Sequence, residues 1–159
     1  MRVVIVGNGP AGVSAARRAR ATDASARITL ISAESDEPFS RPALMYVYLG
    51  HLRAEHTRPY EASFWAANRI DRVRGWVDGI DLEARTARVD GRRTLSWDRL
   101  ILATGSVANR LGVPGEHLDR VGPLVSWQDL EALEAWTPRV ARSVVVGGGL
   151  IGVELAEML

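Results

Sequence analysis

Residues 2–12 read RVVIVGNGPAG, and the order of residue types in this stretch decides the fold. Residues 2–6 are a short β-branched run of the kind that forms a strand buried on both faces, and Gly7 stops it. From residue 10 to about residue 21 the pattern is helical. Pro10 suits a first helical turn, where its missing N–H has no partner in any case. Gly7, Gly9 and Gly12 stand at this strand-to-helix turn in the spacing GxGxxG. Gly7 permits the tight turn. Gly9 leaves the backbone bare, so that a pyrophosphate can approach the amides at the positive end of the helix dipole. Gly12, with Ala16 and Ala19 on the same helical face, lets the helix lie close on the sheet. Pro10 and Ala11 complete the turn and belong to the same candidate site.

Working outward, residues 27–32 (RITLIS) predict a second strand. Strand, glycine turn, helix and strand within about thirty residues make a βαβ unit, whose parallel strands require a helical crossover. Glu34 follows the second strand, twenty-two positions after Gly12. A carboxylate is expected there to accept hydrogen bonds from the ribose of an adenosine. The plainer alternative, a solvated loop acid beside an ordinary tight turn, is disfavoured because strand, turn, helix and acid all occur in the order the site requires.

A loop rich in acid, proline and serine spans residues 34–42, and helical patterns follow at 43–49 and 61–68. Between Ile70 and Ala103 the runs become short and alternating. They predict a small antiparallel meander with Asp90-Gly91 as a tight hairpin turn, ending in an apolar strand over 99–103. Pro114-Gly115 marks a connection. Ser126 followed by Asp129 predicts a helix N-cap before Trp127, Leu130 and Leu133, with the helix reaching Trp136 and stopped by Pro138. Residues 143–146 (SVVV) then repeat the opening theme as a further strand. Gly147, Gly149 and Gly152 repeat GxGxxG, and a helix-like run follows. The partner acid or arginine of this second fingerprint falls beyond Leu159, so NAD and NADP are not distinguished.

Composition narrows the chemistry. The 159 residues carry 47% hydrophobic side chains, enough for a buried core, and a formal net charge of +1 spread along the chain. No basic stripe addresses nucleic acid, and the apolar opening is far too short for a membrane span or a signal-peptide core. A cytoplasmic protein handling small molecules is the expectation. The chain has no cysteine, which excludes disulfides, thiolate metal sites and redox thiols among these residues. Every basic residue is arginine, so a Schiff-base lysine and a P-loop lysine are excluded as well. His51, His56 and His117 lack a ligand spacing, and no metal site is expected. Tyr46, Tyr48, Tyr60, Phe64 and Trp65 either line a ligand pocket or, as aromatics at helical spacing more often do, pack in a core. No catalytic residue is assigned. The acids Asp78, Asp81 and Glu83 read as turn residues.

Four stretches occur in order: VVIVGNGPAGVSAA at 3–16, DEPFSRPAL at 36–44, DRLILATGS at 98–106 and VVVGGGLIGVELA at 144–156. Together they resemble the FAD-dependent pyridine nucleotide reductases, the superfamily of glutathione reductase and of the ferredoxin and rubredoxin reductases. The resemblance implies an α/β fold: a Rossmann-like FAD-binding domain with a parallel sheet and a small antiparallel meander, then the start of a second Rossmann-like domain for NAD(P). It implies a division into residues 1–115 for FAD, and 116–159 as a linker and the truncated beginning of the NAD(P) domain. By the same resemblance Gly7, Gly9 and Gly12 hold FAD, and Ala103, Thr104 and Gly105 run beside the flavin nucleotide, although this last segment taken alone reads more readily as an ordinary buried strand with a glycine stop. Arg41 and Pro42 pass near the FAD ribose and pyrophosphate, against the plainer reading of a surface arginine before a helix-starting proline.

Departures from the family pattern matter too. The disulfide and coenzyme A-linked members place cysteines where this chain has none, so thiol chemistry is disfavoured. Tyr46 stands where many ferredoxin reductases have a lysine, while Glu154 matches the glutamate near the flavin edge, a mixture similar to the nitrite-reductase-like branch. The implied function is an FAD-dependent oxidoreductase passing electrons from NAD(P)H through flavin to an acceptor, which a protein could supply. The alternatives are a non-catalytic dinucleotide-binding fragment and a flavin monooxygenase. Because one strand and one helix cannot bury a nucleotide fold, the 143–159 segment is expected to be the beginning of a longer unit.

Overall fold

The computed structural model describes residues 1–159. Along the chain run β1 (Arg2–Val6), α1 (Pro10–Thr22), β2 (Arg27–Ser32), α2 (Leu44–Tyr48), α3 (Ala62–Ala67), β3 (Ile70–Arg74), β4 (Val77–Asp81), β5 (Thr86–Val89), β6 (Arg93–Ser96), β7 (Arg99–Leu102), α4 (Trp127–Trp136) and α5 (Leu150–Met158). The chain packs as two units: Met1–Phe39 with Arg58–Gly105, and Ser40–Thr57 with Ser106–Leu159.

In the first unit, a four-stranded sheet has the order β3-β2-β1-β7 with every pair parallel. Strands buried on both faces need cover on both, and the unit supplies it in three layers. On one face Val3, Ile5, Ile28 and Leu30 pack with Val13 and Ala16 of α1 and Trp65 of α3. On the other, Val4, Ile31 and Val73 meet Ala87 and Val89 of the antiparallel sheet β4-β5-β6, with Trp97 beside them. Ile5, Ile28, Leu30 and Ile31 are almost wholly buried, each worth about 1.5–3 kcal/mol relative to exposure. The β5–β6 hairpin turns at Asp90 and Gly91, whose φ values of +51° and +66° suit the twist of the flanking strands.

The expected meander is therefore smaller than the alternating pattern suggested. Ile70–Arg74 and Arg99–Leu102 join the parallel sheet, and only β4, β5 and β6 form the antiparallel layer. The reason is topological. The chain between β2 and β3 includes α3 and is long enough to return β3 to the same end of the sheet, as parallel pairing demands.

In the second unit, a 3-10 turn at Arg41–Ala43 leads into α2. Ser126 caps α4 with the predicted partner: its hydroxyl accepts from the Asp129 amide while the Asp129 carboxylate accepts from the Ser126 amide at 2.7 Å. A 3-10 turn at Thr137–Arg139 follows α4 and contains Pro138. Long-range bonds attach residues 40–57 to this unit: Arg41 donates to the Val125 carbonyl at 2.6 Å, and the Tyr48 hydroxyl donates to Thr137 Oγ1 at 2.9 Å. The expected strand at 143–146 does not form. A strand exists only where a neighbour completes its hydrogen-bond ladder, and here Val144 and Val146 lie 89% and 72% exposed with no strand paired to them. No helix is long and apolar enough to cross a membrane.

Candidate functional site

The glycine turn between β1 and α1 lies at the carboxyl end of the parallel strands, where open α/β sheets bind their ligands. Its three glycines have different tasks. Gly7 has φ +109°, and a Cβ there would come within 2.0 Å of the Ala103 carbonyl oxygen. Gly12 is pressed against its own turn: a Cβ would lie 1.9 Å from the Gly7 carbonyl oxygen and 3.5 Å from the Ile5 side chain. Gly9 is the reverse case, since a Cβ built there meets nothing within 4 Å. That open position at the head of α1 is where the bare backbone faces free space. No side chain caps the helix, Pro10 brings no N–H, and α1 begins with Val13 N donating to Gly9 O at 3.0 Å. The first-turn amides around Ala11 and Gly12 have no acceptor within the helix ladder and suit an anion.

Glu34 stands two residues beyond β2 and is half-buried. Its amide donates to Ser32 Oγ at 3.3 Å. The loop that carries it is joined to the glycine turn by Asn8, whose Nδ2 donates to the Ser35 carbonyl at 2.9 Å. Ala103 follows β7 and donates its amide to Val6 O at 2.8 Å, which seats its own carbonyl against Gly7. Thr104 and Gly105 follow, both exposed, with Gly105 at φ +73°. The first unit thus gathers Gly7, Gly9, Pro10, Ala11, Gly12, Glu34, Ala103, Thr104 and Gly105 at one end of one sheet.

Beside the turn opens a cleft of about 680 Å³ whose lining includes Asn8, Ser32, Ser35, Glu37, Trp65 and Arg72. Glu37 accepts from Trp65 Nε1 at 2.8 Å and pairs with Arg72, whose guanidinium sits 5.0 Å from the centre of the Trp65 ring. Trp65 also meets Phe64 and Tyr60 edge-on, and the Tyr60 and Phe64 rings stack at 4.3 Å. These three aromatics belong to the core and its margin. Sequence reasoning passed over Asn8 and Glu37. The available signal for Asn8 was an amide at a turn between two apolar runs, where a buried polar group must find a partner.

Arg41 and Pro42 lie in the second unit, in the 3-10 turn before α2, and the Arg41 guanidinium is engaged by the Val125 carbonyl. Gly147, Gly149 and Gly152 are there as well. Their turn copies the first: Gly147 has φ +113°, a Cβ on Gly152 would lie 2.0 Å from the Gly147 carbonyl oxygen, and Val153 N donates to Gly149 O at 3.0 Å. Gly149, like Gly9, faces open space. Glu154 is half-buried in the middle of α5.

Two such turns in one chain narrow the choice of family, and the family model for pyridine nucleotide-disulphide oxidoreductase matches residues 1–159. The chain belongs to the pyridine nucleotide-disulphide oxidoreductase family. This family member is 38% identical over 156 residues to the ferredoxin reductase component of chlorobenzene dioxygenase from Cupriavidus sp. (strain PS12), covering 97% of the chain and 38% of that relative. It is 36% identical over 159 residues to rubredoxin-NAD(+) reductase from Pseudomonas putida, covering 99% of the chain and 41% of the relative. Among solved structures, NADH:rubredoxin oxidoreductase from Clostridium acetobutylicum superimposes with a TM-score of 0.85 at 27% identity, over 99% of this chain and 41% of that one. The chain therefore spans about two fifths of the length of these relatives. They lie on the ferredoxin and rubredoxin reductase side of this oxidoreductase family. The disulphide of the family name has no counterpart here, because the chain contains no cysteine.

Proposed function

We propose that these residues form the dinucleotide-binding part of an FAD-dependent oxidoreductase. It passes electrons from NAD(P)H through flavin to a small redox protein of the kind named in its relatives, ferredoxin or rubredoxin. The observation that carries this reading is the contrast at the first turn. Gly7 and Gly12 are glycines because protein atoms would collide with a side chain, whereas Gly9 faces open space beside the loop of Glu34. A turn built so that only its middle glycine is bare leaves room for a ligand there.

FAD fits this cradle. The amides around Ala11 and Gly12 would receive its pyrophosphate, Glu34 its adenosine ribose, and Ala103, Thr104 and Gly105 the flavin-nucleotide side, with Pro10 setting the helix start. Arg41 and Pro42 would add a guanidinium and a rigid turn toward the ribose and pyrophosphate. Gly147, Gly149 and Gly152 would take the nicotinamide dinucleotide, and Glu154 would stand near the flavin edge. Residues 1–115 then serve FAD, and 116–159 the linker and the first part of the NAD(P) domain. Bound there, FAD would supply hydride acceptance from reduced nicotinamide and one-electron release, chemistry that no side chain of this chain supplies. The chain's own work is to bind the cofactor and orient it. We place the protein in the cytoplasm, with its nicotinamide donor.

The test is reconstitution of the 159-residue chain with FAD, followed by removal of free flavin and a visible spectrum. Retention of a yellow, oxidised-flavin band by the unchanged chain, and its loss on Gly9→Val, is the expected result. No retained flavin, or equal retention by both, overturns the reading.

A further inference from the structure

Asn8 fills the unspecified position between Gly7 and Gly9, and it is one of two buried polar side chains, with Thr57, at 8% and 4% exposed. A buried carboxamide must be hydrogen-bonded or it weakens the fold. Asn8 meets that demand on a neighbouring strand end: Nδ2 donates to the Ser35 carbonyl at 2.9 Å and lies 3.5 Å from Ser35 Oγ. Adjacent strands run about 4.8 Å apart, within reach of so short a side chain. The same loop is held from a second side. Ser32 Oγ accepts from the amides of Glu34 and Ser35 at 3.3 and 3.4 Å, and Ser35 Oγ donates to the Glu37 carbonyl at 2.6 Å. The backbone on either side of the Glu34 Cα is thereby tied, through Ser32 to β2 and through Asn8 to the glycine turn.

We propose that Asn8, assisted by Ser32, is a positioning residue that holds the Glu34 loop in register with the glycine turn, so that a dinucleotide seated on the turn presents its adenosine ribose to the Glu34 carboxylate. This rests on the proposed role of Glu34. It predicts a loss of ribose discrimination, which simple weakening of the fold would not produce: Asn8 touches neither the pyrophosphate nor the ribose in this scheme and acts only through the loop.

The experiment measures Kd for FAD and for an FAD analogue lacking the adenosine 2′- and 3′-hydroxyls, using the 159-residue chain and its Asn8→Ala, Ser32→Ala and Glu34→Gln variants. The unchanged chain should prefer FAD by about tenfold, the scale of hydrogen bonds to a charged group. Asn8→Ala should reduce that preference to about twofold while leaving affinity for the analogue within about twofold of the unchanged chain. In the ligand-free protein the Glu34 and Ser35 amides should exchange with solvent roughly tenfold faster, reporting the freed loop. Equal weakening toward both ligands, or an intact preference in Asn8→Ala, overturns the proposal. If Asn8→Ala does not fold, Ser32→Ala carries the same expectation and the same refutation. Should the unchanged chain bind both ligands alike, the ribose role of Glu34 fails and the proposal falls with it. Should Glu34→Gln lose the preference while Asn8→Ala keeps it, only the positioning role fails.

Discussion

Two alanines, three residues apart, should have opposite consequences. At Gly12 an added Cβ lies 1.9 Å from the Gly7 carbonyl oxygen. The usual gain of about 1 kcal/mol from Gly→Ala in a helix is overridden there by overpacking against backbone, which cannot rotate away. Gly12→Ala should therefore cost about 2–3 kcal/mol in urea unfolding. At Gly9, φ is −67° and the added methyl meets open space, so Gly9→Ala should leave unfolding within about 0.5 kcal/mol while weakening FAD binding measured by flavin fluorescence. Equal losses of stability at both positions would contradict this division. The strand-to-helix turn was legible in the sequence because glycine spacing specifies a local backbone conformation, which the structure adopts at Gly7 and again at Gly147. The partners of Asn8 and Arg41 were not: Ser35 and Val125 stand 27 and 84 positions away, and spacing along a chain reports nothing about contacts made only once it is folded.

At the scale of elements, the Asp90-Gly91 turn offers the cleanest measurement. Gly91 has φ +66°, and the nearest atom to an added Cβ is an Asp78 carboxylate oxygen at 3.6 Å. Space is available, so the cost of substitution isolates backbone conformation. Gly91→Val should lose about 1–2 kcal/mol of stability, and Gly91→Asn clearly less, because asparagine tolerates the left-handed region better; denaturant midpoints of the two variants decide it. This hairpin was readable from Asp-Gly between alternating runs, as was the α4 cap from Ser126 and Asp129. The sheet membership of β3 was not readable, because alternation specifies which faces are buried and leaves the neighbouring strand unnamed. Residues 143–146 fail for a related reason: a β-branched run states a preference, and only a paired ladder turns it into a strand.

Across the first unit, the beginning of β1 is fastened to the approach to β7 by Arg2 and Asp98. Asp98 Oδ1 accepts from the Arg2 guanidinium at 2.8 Å and Oδ2 from the Arg2 amide at 2.7 Å. The guanidinium bond, then the amide bond, hold the Asp98 carboxyl down to about 2 from its ordinary 3.8. A carboxyl depressed on folding stabilises above its ordinary value, and that contribution disappears as pH falls toward the folded one. Denaturant midpoints should therefore decline between pH 3.8 and about 2, and Asp98→Asn should flatten part of that decline. Asp78, lowered by its Arg88 hydrogen bond, and Asp23, lowered by Ser25, add slopes of the same sign. An unchanged acid limb in Asp98→Asn would refute the assignment. The two glycine turns differ in one respect with a longer reach. In both, the last glycine lies against the carbonyl of the first, Gly152 against Gly147 and Gly12 against Gly7, with Val145 and Ile5 next nearest, and Gly7 also meets the Ala103 carbonyl from the end of β7. Each hexapeptide thus supplies its own inner clasp, and the earlier one is in addition keyed to a neighbouring strand, so that its first glycine has a second reason to stay bare.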